Sequence, residues 1–295
     1  MTTIPTQPKP RWLRRRLPTG PDYERIRALI RDQALSTVCQ EAMCPNQFEC
    51  FAKGTATFML LGDRCSRDCR FCAVGHGPKG PPDVDEPARV ATAVRTLGLS
   101  YCVLTSVTRD DLPDGGAAHF AATIGAVRAE NPQTLVEVLI PDFQGDPQAL
   151  EIVLNARPEV LNHNLETVAR LYPAVRPQAG YRRSLELLRE SKAIAPDAVI
   201  KSGIMVGLGE TAGELTALFL DLRQAGCNIL TIGQYLQPSR SHLPVARFVP
   251  PDEFTVLERQ ALALGFGAVA AAPFVRSSYQ AESLYRRAVD AASRS

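Results

Sequence analysis

Several things are missing from this sequence, and each absence excludes something. No uninterrupted apolar run approaches the about 20 residues a bilayer-spanning helix needs, and the N-terminus carries no apolar h-region. Both point to a cytoplasmic chain that engages no membrane. Neither sign of charge dominates: 33 basic residues face 31 acidic ones, a net +2. A balance so close to zero gives no general case for nucleic-acid binding. No Gly-rich dinucleotide fingerprint follows the first strand-like run. Tryptophan occurs once, at Trp12, within a Pro-rich stretch of 20 residues that has Lys9, Arg11, Arg14, Arg15 and Arg16 and no acid before Asp22. Residues 1–8 read as a solvated arm. Trp12 either packs back on the body or touches a partner.

What is present is cysteine. Six of the eight cysteines crowd between Cys39 and Cys72, in a chain of 295 residues that is ample for its own core. Clustered cysteines in a reducing compartment mean metal more often than disulfide. Cys65, Cys69 and Cys72 are spaced C-x3-C-x2-C. Three thiolates leave one iron of a cuboidal iron–sulfur cluster open to a small molecule. A structural zinc site is the alternative, but zinc usually takes a second cysteine pair downstream, and none exists. Cys39, Cys44 and Cys50, spaced C-x4-C-x5-C around Pro45 and Asn46, form a second set of three in a loop. A second zinc site or redox-active thiols are the alternatives there. Cys102 and Cys227 lie in apolar runs and read as core.

From residue 55 a rhythm sets in. Strand-like runs at 55–61, 101–107, 134–140, 159–163, 198–206 and 227–232 alternate with helical patterns at 87–97, 115–129, 146–156, 164–170 with 180–194, and 211–225. A helix at 22–36 precedes them; a helix at 252–264, a short strand at 268–271 and a closing helix follow. Thr211 and Glu214 form a T-x-x-E capping box, and Gly226 is placed to end that helix. Alternation predicts an α/β fold with a parallel sheet. Six units make an open or partial (β/α)6 TIM-like barrel, with a flat doubly wound sheet as the alternative. In such barrels chemistry gathers at the C-terminal ends of the strands, and the C-x3-C-x2-C loop directly follows the first. Thr105, Ser106, Arg109, Asp110, Asn162, His163, Asn164, Glu210 and Gln234, at other strand ends, should face the same cavity. His76, His119 and His242 read as surface or turn residues. Residues 244–251, with three prolines, read as a linker wrapping the body.

The spacing of Cys65, Cys69 and Cys72, with the aromatic Phe71 before the last, resembles the radical S-adenosylmethionine (SAM) superfamily. From about Lys9 to Ala281 the chain is similar to the lipoyl synthase family within it. The blocks KPRWLR, CQEAMCPNQFEC, GTATFMLLGDRCSRDCRFCAV, SVTRDDLPDGG, NHNLETV, KSGIMVGLGE, LTIGQYLQP and VRSSY occur in order. Gln40, Phe51 and Ser66 depart from the family's commoner residues, and none is a ligand. The resemblance implies three parts: residues 1–52, an extension with the auxiliary-cluster cysteines; 53–240, a radical SAM partial barrel; and 241–295, an extension carrying the RSSY ligand. It implies two 4Fe–4S clusters, one on Cys65, Cys69 and Cys72, the other on Cys39, Cys44, Cys50 and Ser278. SAM cleaved at the first would yield a radical able to abstract hydrogen from unactivated carbon. The second would donate two sulfurs to C6 and C8 of an octanoyl chain linked to a lysine of a carrier domain. Expected partners are octanoylated lipoyl carriers (dehydrogenase E2 subunits, the glycine cleavage H protein), a low-potential donor such as ferredoxin or flavodoxin, and iron–sulfur carrier proteins.

Residue by residue alternatives remain. Ser278 reads from the sequence alone as a helix N-cap; the resemblance makes it a cluster ligand. Arg276 is either a surface charge or orders the substrate. Thr105 and Ser106 are placed for the SAM carboxylate, Asn162 and Asn164 for its ribose, and Phe71 is counted with these contacts. Glu137 interrupts an apolar strand, so its carboxylate needs a partner: SAM, or else Lys201 or Arg109. Lys201 is grouped with it at the cofactor. Gly207 and Gly209 either admit the adenosine to the backbone or make a plain turn. His163 is a further site candidate. A methylthiotransferase is the alternative enzyme, though no appended RNA-binding domain is seen; an electron carrier or zinc scaffold is the alternative of another class.

Overall fold

The computed structural model describes residues 8–14, 21–44, 46, 57–77 and 80–294. Its main sheet has eight strands: β1 (Ser36–Thr37), β2 (Thr57–Leu60), β3 (Tyr101–Ser106), β4 (Leu135–Leu139), β5 (Val160–Asn162), β6 (Val199–Val206), β7 (Ile229–Gln234) and β8 (Ala268–Ala271). They lie side by side in chain order. β1 pairs antiparallel with β2, and every later neighbour is parallel. A helix, α1 (Pro21–Asp32), precedes the sheet. The crossovers carry α2 (Glu86–Leu97), α3 (Ala117–Glu130), α4 (Pro147–Asn155), α5 (Tyr181–Ile194) and α6 (Ala212–Gln224). Then come α7 (Pro251–Ala263) and α8 (Ala281–Ala292). Six β/α units from β2 to β7 make the partial barrel, and β8 extends it beyond residue 240. Among the described residues no helix is long and apolar enough to cross a membrane.

The period-two alternation of strand side chains sorts residues between two faces. Cys102, Leu104, Val136, Val138, Leu161, Ile200, Leu230 and Ile232 join the core beneath the helices, with Val90, Val94, Phe120, Ile124, Leu150, Val153, Leu187 and Leu222. Each such large side chain contributes roughly 1.5–3 kcal/mol on full burial. The other face lines the barrel. At its N-terminal end, Tyr101, Val103 and Val160 pack with Ala281 and Tyr285, while Ile229 and Ala268 pack with Leu284 and Ala288. Helix α8 therefore closes the bottom of the barrel.

The capping box is formed as the sequence predicts. Thr211 Oγ1 accepts from the Glu214 N–H at 3.3 Å, and Glu214 accepts from the Thr211 N–H at 2.8 Å. One predicted helix is absent. Residues 164–168 continue alongside β6 instead: Glu166 donates its N–H to the Gly203 carbonyl and accepts from the Met205 N–H. Its φ of +65° bends the chain there. Backbone groups of β6 left unpaired where β5 ends outweigh local helix preference, and only a 3-10 turn at Ala169–Leu171 and a helical turn at Tyr172–Val175 follow. The segment from Tyr235 to Pro250 straps across the top. The Ala246 and Arg247 N–H groups both donate to the Gly207 carbonyl, and the Val249 N–H donates to Gln234 Oε1.

Candidate active site

Strand β2 ends in two residues of positive φ, Leu61 at +65° and Gly62 at +90°. The Glu86 carboxylate, itself against His119, accepts the Leu61 N–H at 2.8 Å and holds this bend. The cysteine loop that follows is stitched to the chain beyond β3. Ser66 donates its N–H and its hydroxyl to the Thr108 carbonyl, and accepts the Asp110 N–H. The Thr108 and Arg67 N–H groups point at Cys65 Sγ, at 3.3 and 3.4 Å. Arg67, 4% exposed, drives inward. It bonds both oxygens of Asp110 at 2.6 and 2.8 Å, and Asp142 at 2.6 Å; Asp142 also accepts from Arg183 at 2.8 Å. Burial works against the Asp142 charge, but Arg67 overcomes it and holds the carboxyl at about 2.

One cavity of about 480 Å³ opens over the C-terminal strand ends, and it collects the C-x3-C-x2-C cysteines together with Cys39 and Cys44. Cys65, Cys69 and Cys72 face it with Phe71; so do Cys39 and Cys44, with Arg276 and Ser278. Cys39 sits in the helical turn Val38–Glu41, capped by Thr37. Asn46 Nδ2 donates to the Phe274 carbonyl at 2.6 Å, tying this N-terminal loop to the segment before Ser278. Cys50 lies outside the described residues. Gly233 is required here: a Cβ on it would meet the Val275 carbonyl at 2.1 Å, so only glycine lets the Val275–Tyr279 segment lie on β7. Ser278 caps no helix. The N-cap position of α8 is Gln280, which makes no side-chain cap.

Thr105, Ser106, His163 and Asn164 line the cavity as expected. Thr105 donates to the Leu139 carbonyl. Ser106 Oγ, Asn164 Oδ1 and both amide atoms of Asn162 are buried without a hydrogen-bond partner, although Asn162 is fully enclosed beside Leu139 rather than on the cavity wall. His163 donates from Nδ1 to the Ile140 carbonyl and accepts at Nε2 from Ser184. Burial pushes its pKa down to about 4, so it stays neutral.

Other expected residues lie elsewhere. Glu137 and Lys201 do not line the cavity. They bind each other at 2.6 Å with no exposure, and Tyr101 Oη donates to Glu137 at 2.7 Å. A buried carboxylate needs a cation within reach, and here that is Lys201 on β6, across the intervening β5. Gly207 and Gly209 are also off the cavity. At φ +97°, Gly207 turns under the strap, where a Cβ would strike Gln234 and the Arg247 carbonyl. Arg109 pairs with Asp111, Glu210 accepts the Gly207 and Leu208 N–H groups, and Gln234 anchors the strap. Trp12 is exposed.

Sequence reasoning missed Arg176 and Glu166. Arg176 Nη1 donates to the Asn164 and Leu165 carbonyls, its Nε has no partner, and it faces the cavity. Burial raises the Glu166 carboxyl, against the opposing pull of Arg176. No periodicity or spacing marks either residue.

The donor set fits iron–sulfur and SAM binding. Cys65, Cys69 and Cys72 form no disulfide. Burial pushes the Cys72 thiol up to about 12, and burial raises Cys69, each with a further push from the neighbouring cysteines. Partly buried thiols held close together are stabilised as thiolates by a nearby cation, which is what a cluster iron provides. Among the described residues no group of three or more His, Cys, Asp or Glu is placed to hold a single metal ion. The orphaned hydroxyl and amide atoms at the ends of β3 and β5 suit a ligand rich in hydroxyl, amine and carboxylate groups.

Comparison with known proteins agrees. A family model for the radical SAM superfamily matches residues 59–222, and one for the N-terminal domain of lipoyl synthase of the radical SAM family matches residues 6–44. The chain is 63% identical over 280 residues to the lipoyl synthase of Desulfotalea psychrophila, covering 95% of this chain and 94% of that one. It is 55% identical over 282 residues to that of Thermus thermophilus, covering 95% and 87%. Among solved structures, methylornithine synthase aligns with TM-score 0.53 at 14% identity, over 69% of this chain and 61% of that one. Streptococcus suis SuiB bound to S-adenosylmethionine aligns with TM-score 0.55 at 10% identity, over 74% and 51%. These two share the fold.

Proposed function

The chain belongs to the lipoyl synthase family of radical SAM enzymes, and from that premise we propose how its residues divide the work. The activity is that of a radical SAM sulfurtransferase: two sulfur atoms are inserted at C6 and C8 of a protein-bound octanoyl-lysine, with 4Fe–4S clusters and SAM as cofactors and the auxiliary cluster as sulfur source.

Cys65, Cys69 and Cys72 hold the SAM-binding cluster; Cys39, Cys44, Cys50 and Ser278 hold the auxiliary one. The observation that supports this assignment is that Cys65, Cys69 and Cys72 line the same cavity as Cys39, Cys44 and Ser278. A carbon radical must meet its sulfur donor before it meets anything else, so both centres have to open on one enclosed space. Thr105, Ser106 and Asn164 contact SAM, with Asn162 supporting from behind and Phe71 packing at the loop. Arg276 orders the substrate between the centres. Met59, Leu139, Ile204 and Met205 give the wall the apolar surface that an octanoyl chain needs. Residues 1–52 serve as the auxiliary-cluster extension, 53–240 as the barrel and 241–295 as the closing extension.

The enzyme acts on lipoyl carrier proteins and takes electrons from a donor. More finely, the carriers are dehydrogenase E2 subunits and the glycine cleavage H protein, the donor is a ferredoxin or flavodoxin, iron–sulfur carrier proteins supply the clusters, and the setting is cytoplasmic.

The test is mass spectrometry of an octanoyl-lysyl peptide incubated anaerobically with reconstituted protein, SAM and a strong reductant. Gain of two sulfurs, with about eight irons per loaded chain, supports the assignment. Fully loaded protein that cleaves SAM and leaves the peptide unchanged refutes the substrate half.

A further inference from the structure

His242 lies in the strap, far from either cysteine motif in sequence, and reads there as a surface or turn residue. It does sit in a turn, its N–H donating to the Ser239 carbonyl, but its ring is partly buried against the cysteine loop. Nε2 lies 2.9 Å from the carbonyl oxygen of Cys72. A carbonyl can only accept, so Nε2 carries the proton. On the other side of the ring, Nδ1 lies 2.8 Å from Ser239 Oγ. With the proton on Nε2, Nδ1 accepts from the Ser239 hydroxyl. Ser239 in turn is bonded by the N–H and hydroxyl of Ser241. The tautomer is thus set by a short chain of hydroxyls within the strap.

The neighbouring residue repeats the arrangement. The Leu243 N–H donates to the Arg70 carbonyl at 3.1 Å. From behind, the buried Tyr235 hydroxyl donates to the Leu243 carbonyl at 2.7 Å, and Gln237 Nε2 donates to the His242 carbonyl at 2.8 Å. Residues 242–243 are therefore fastened to the end of β7 on one side and to both carbonyls flanking Phe71 on the other. The same half of the loop is also held by the Arg70 N–H to the Val175 carbonyl and the Cys72 N–H to the Cys69 carbonyl. The strap also reaches the cavity, where Gln237 and Pro238 line the wall.

We propose that His242 is a positioning residue for the SAM-binding cluster: by donating from Nε2 to the Cys72 carbonyl it fixes that peptide plane, and with it the direction of the Cys72 side chain. Groups that orient a metal ligand from behind tune affinity and electronic properties nearly as strongly as the ligands themselves. Because the same strap supplies part of the cavity wall, a shift of the strap moves the cluster loop with it. The inference rests on the reading of Cys72 as a cluster ligand.

The experiment compares reconstituted holoenzyme with His242→Ala, His242→Gln and Ser239→Ala. The readouts are the electron paramagnetic resonance spectrum of the reduced cluster with and without SAM, and the rate of 5′-deoxyadenosine formation. His242→Ala should alter the SAM-dependent spectrum and slow SAM cleavage at least about tenfold. Glutamine places an N–H donor where Nε2 stood, so His242→Gln should recover the spectrum and come within about threefold of the native rate. Ser239→Ala frees the tautomer and should fall between them. If His242→Ala loads its cluster poorly, recovery of loading by His242→Gln supports the same role. A native spectrum and rate in His242→Ala overturns the proposal, as does a glutamine variant as impaired as the alanine one. If Cys72→Ala leaves the native signal intact, the ligand assignment itself fails, and this inference with it.

Discussion

The Arg67–Asp142 contact beneath the cysteine loop allows a quantitative test. In Asp142→Asn the shape is kept and the charge removed. Asp142 is wholly buried and accepts from two arginines. Its displacement from 3.8 to about 2 corresponds to about 2.5 kcal/mol of stability, at ~1.4 kcal/mol per unit. Removing one partner of a buried pair also strands the other, and such losses run about 3–5 kcal/mol. Asp110 still holds Arg67, so the lower end of that range is expected, about 3 kcal/mol. For a chain of this size that lowers the melting temperature of the holoenzyme by about 5 °C. The pH dependence has a definite sign. A carboxyl whose folded pKa is depressed contributes fully above its unfolded value and loses that contribution as pH falls towards its folded one. The gap between native and Asp142→Asn should therefore be constant from pH 7 to 5 and shrink below about pH 4. Because Arg67 belongs to the cysteine loop, iron loading on Cys65, Cys69 and Cys72 should fall as well. Equal melting temperatures at pH 7, or a gap that widens on acidification, would refute the reasoning.

Three further outcomes are expected. Gly233→Ala pushes a Cβ into the Val275 carbonyl; it should cost about 1–3 kcal/mol by overpacking and reduce auxiliary iron, while SAM cleavage at the other cluster persists. Ser278→Ala should leave SAM cleavage largely intact and lower sulfur insertion at least about tenfold, read as the ratio of 5′-deoxyadenosine to lipoylated peptide. Lys201→Met should destabilise by about 3–5 kcal/mol, with Glu137→Gln added restoring part of the loss; SAM affinity measured by equilibrium binding should stay unchanged, and a large fall would return the pair to the cofactor site.

The strand rhythm was legible because a parallel sheet buried on both faces leaves near-continuous apolar runs, as in residues 134–140 and 198–206. The cysteine loop was legible because its three cysteines fall within eight residues. What the sequence concealed is pairing at a distance. Arg67 meets Asp110 and Asp142, 43 and 75 residues on, and Lys201 meets Glu137 across 64. Nothing local at either position names its partner, so Glu137 could be read only as a carboxylate in need of one. The contact made by His242 was hidden for the same reason: its partner is a backbone carbonyl 170 residues earlier. The missing helix at 164–170 shows the reverse case, a local pattern overruled by an unpaired strand edge.

The bond from Asn46 to Phe274 joins positions 228 residues apart. On the proposed ligand assignment, the SAM-binding triad is complete as soon as one short loop has been made. The auxiliary site on that assignment waits for Ser278, translated long after Cys39 and Cys44. At about 5–20 residues per second that delay is roughly 10–45 s, during which Cys39 and Cys44 stand without their distant ligand. The two centres are thus ordered in time by the path of the chain, and delivery of the second cluster is an event that follows synthesis of the C-terminal segment. On the same assignment, a chain truncated before Gly233 would keep all the ligands of the first centre and lack Ser278 of the second.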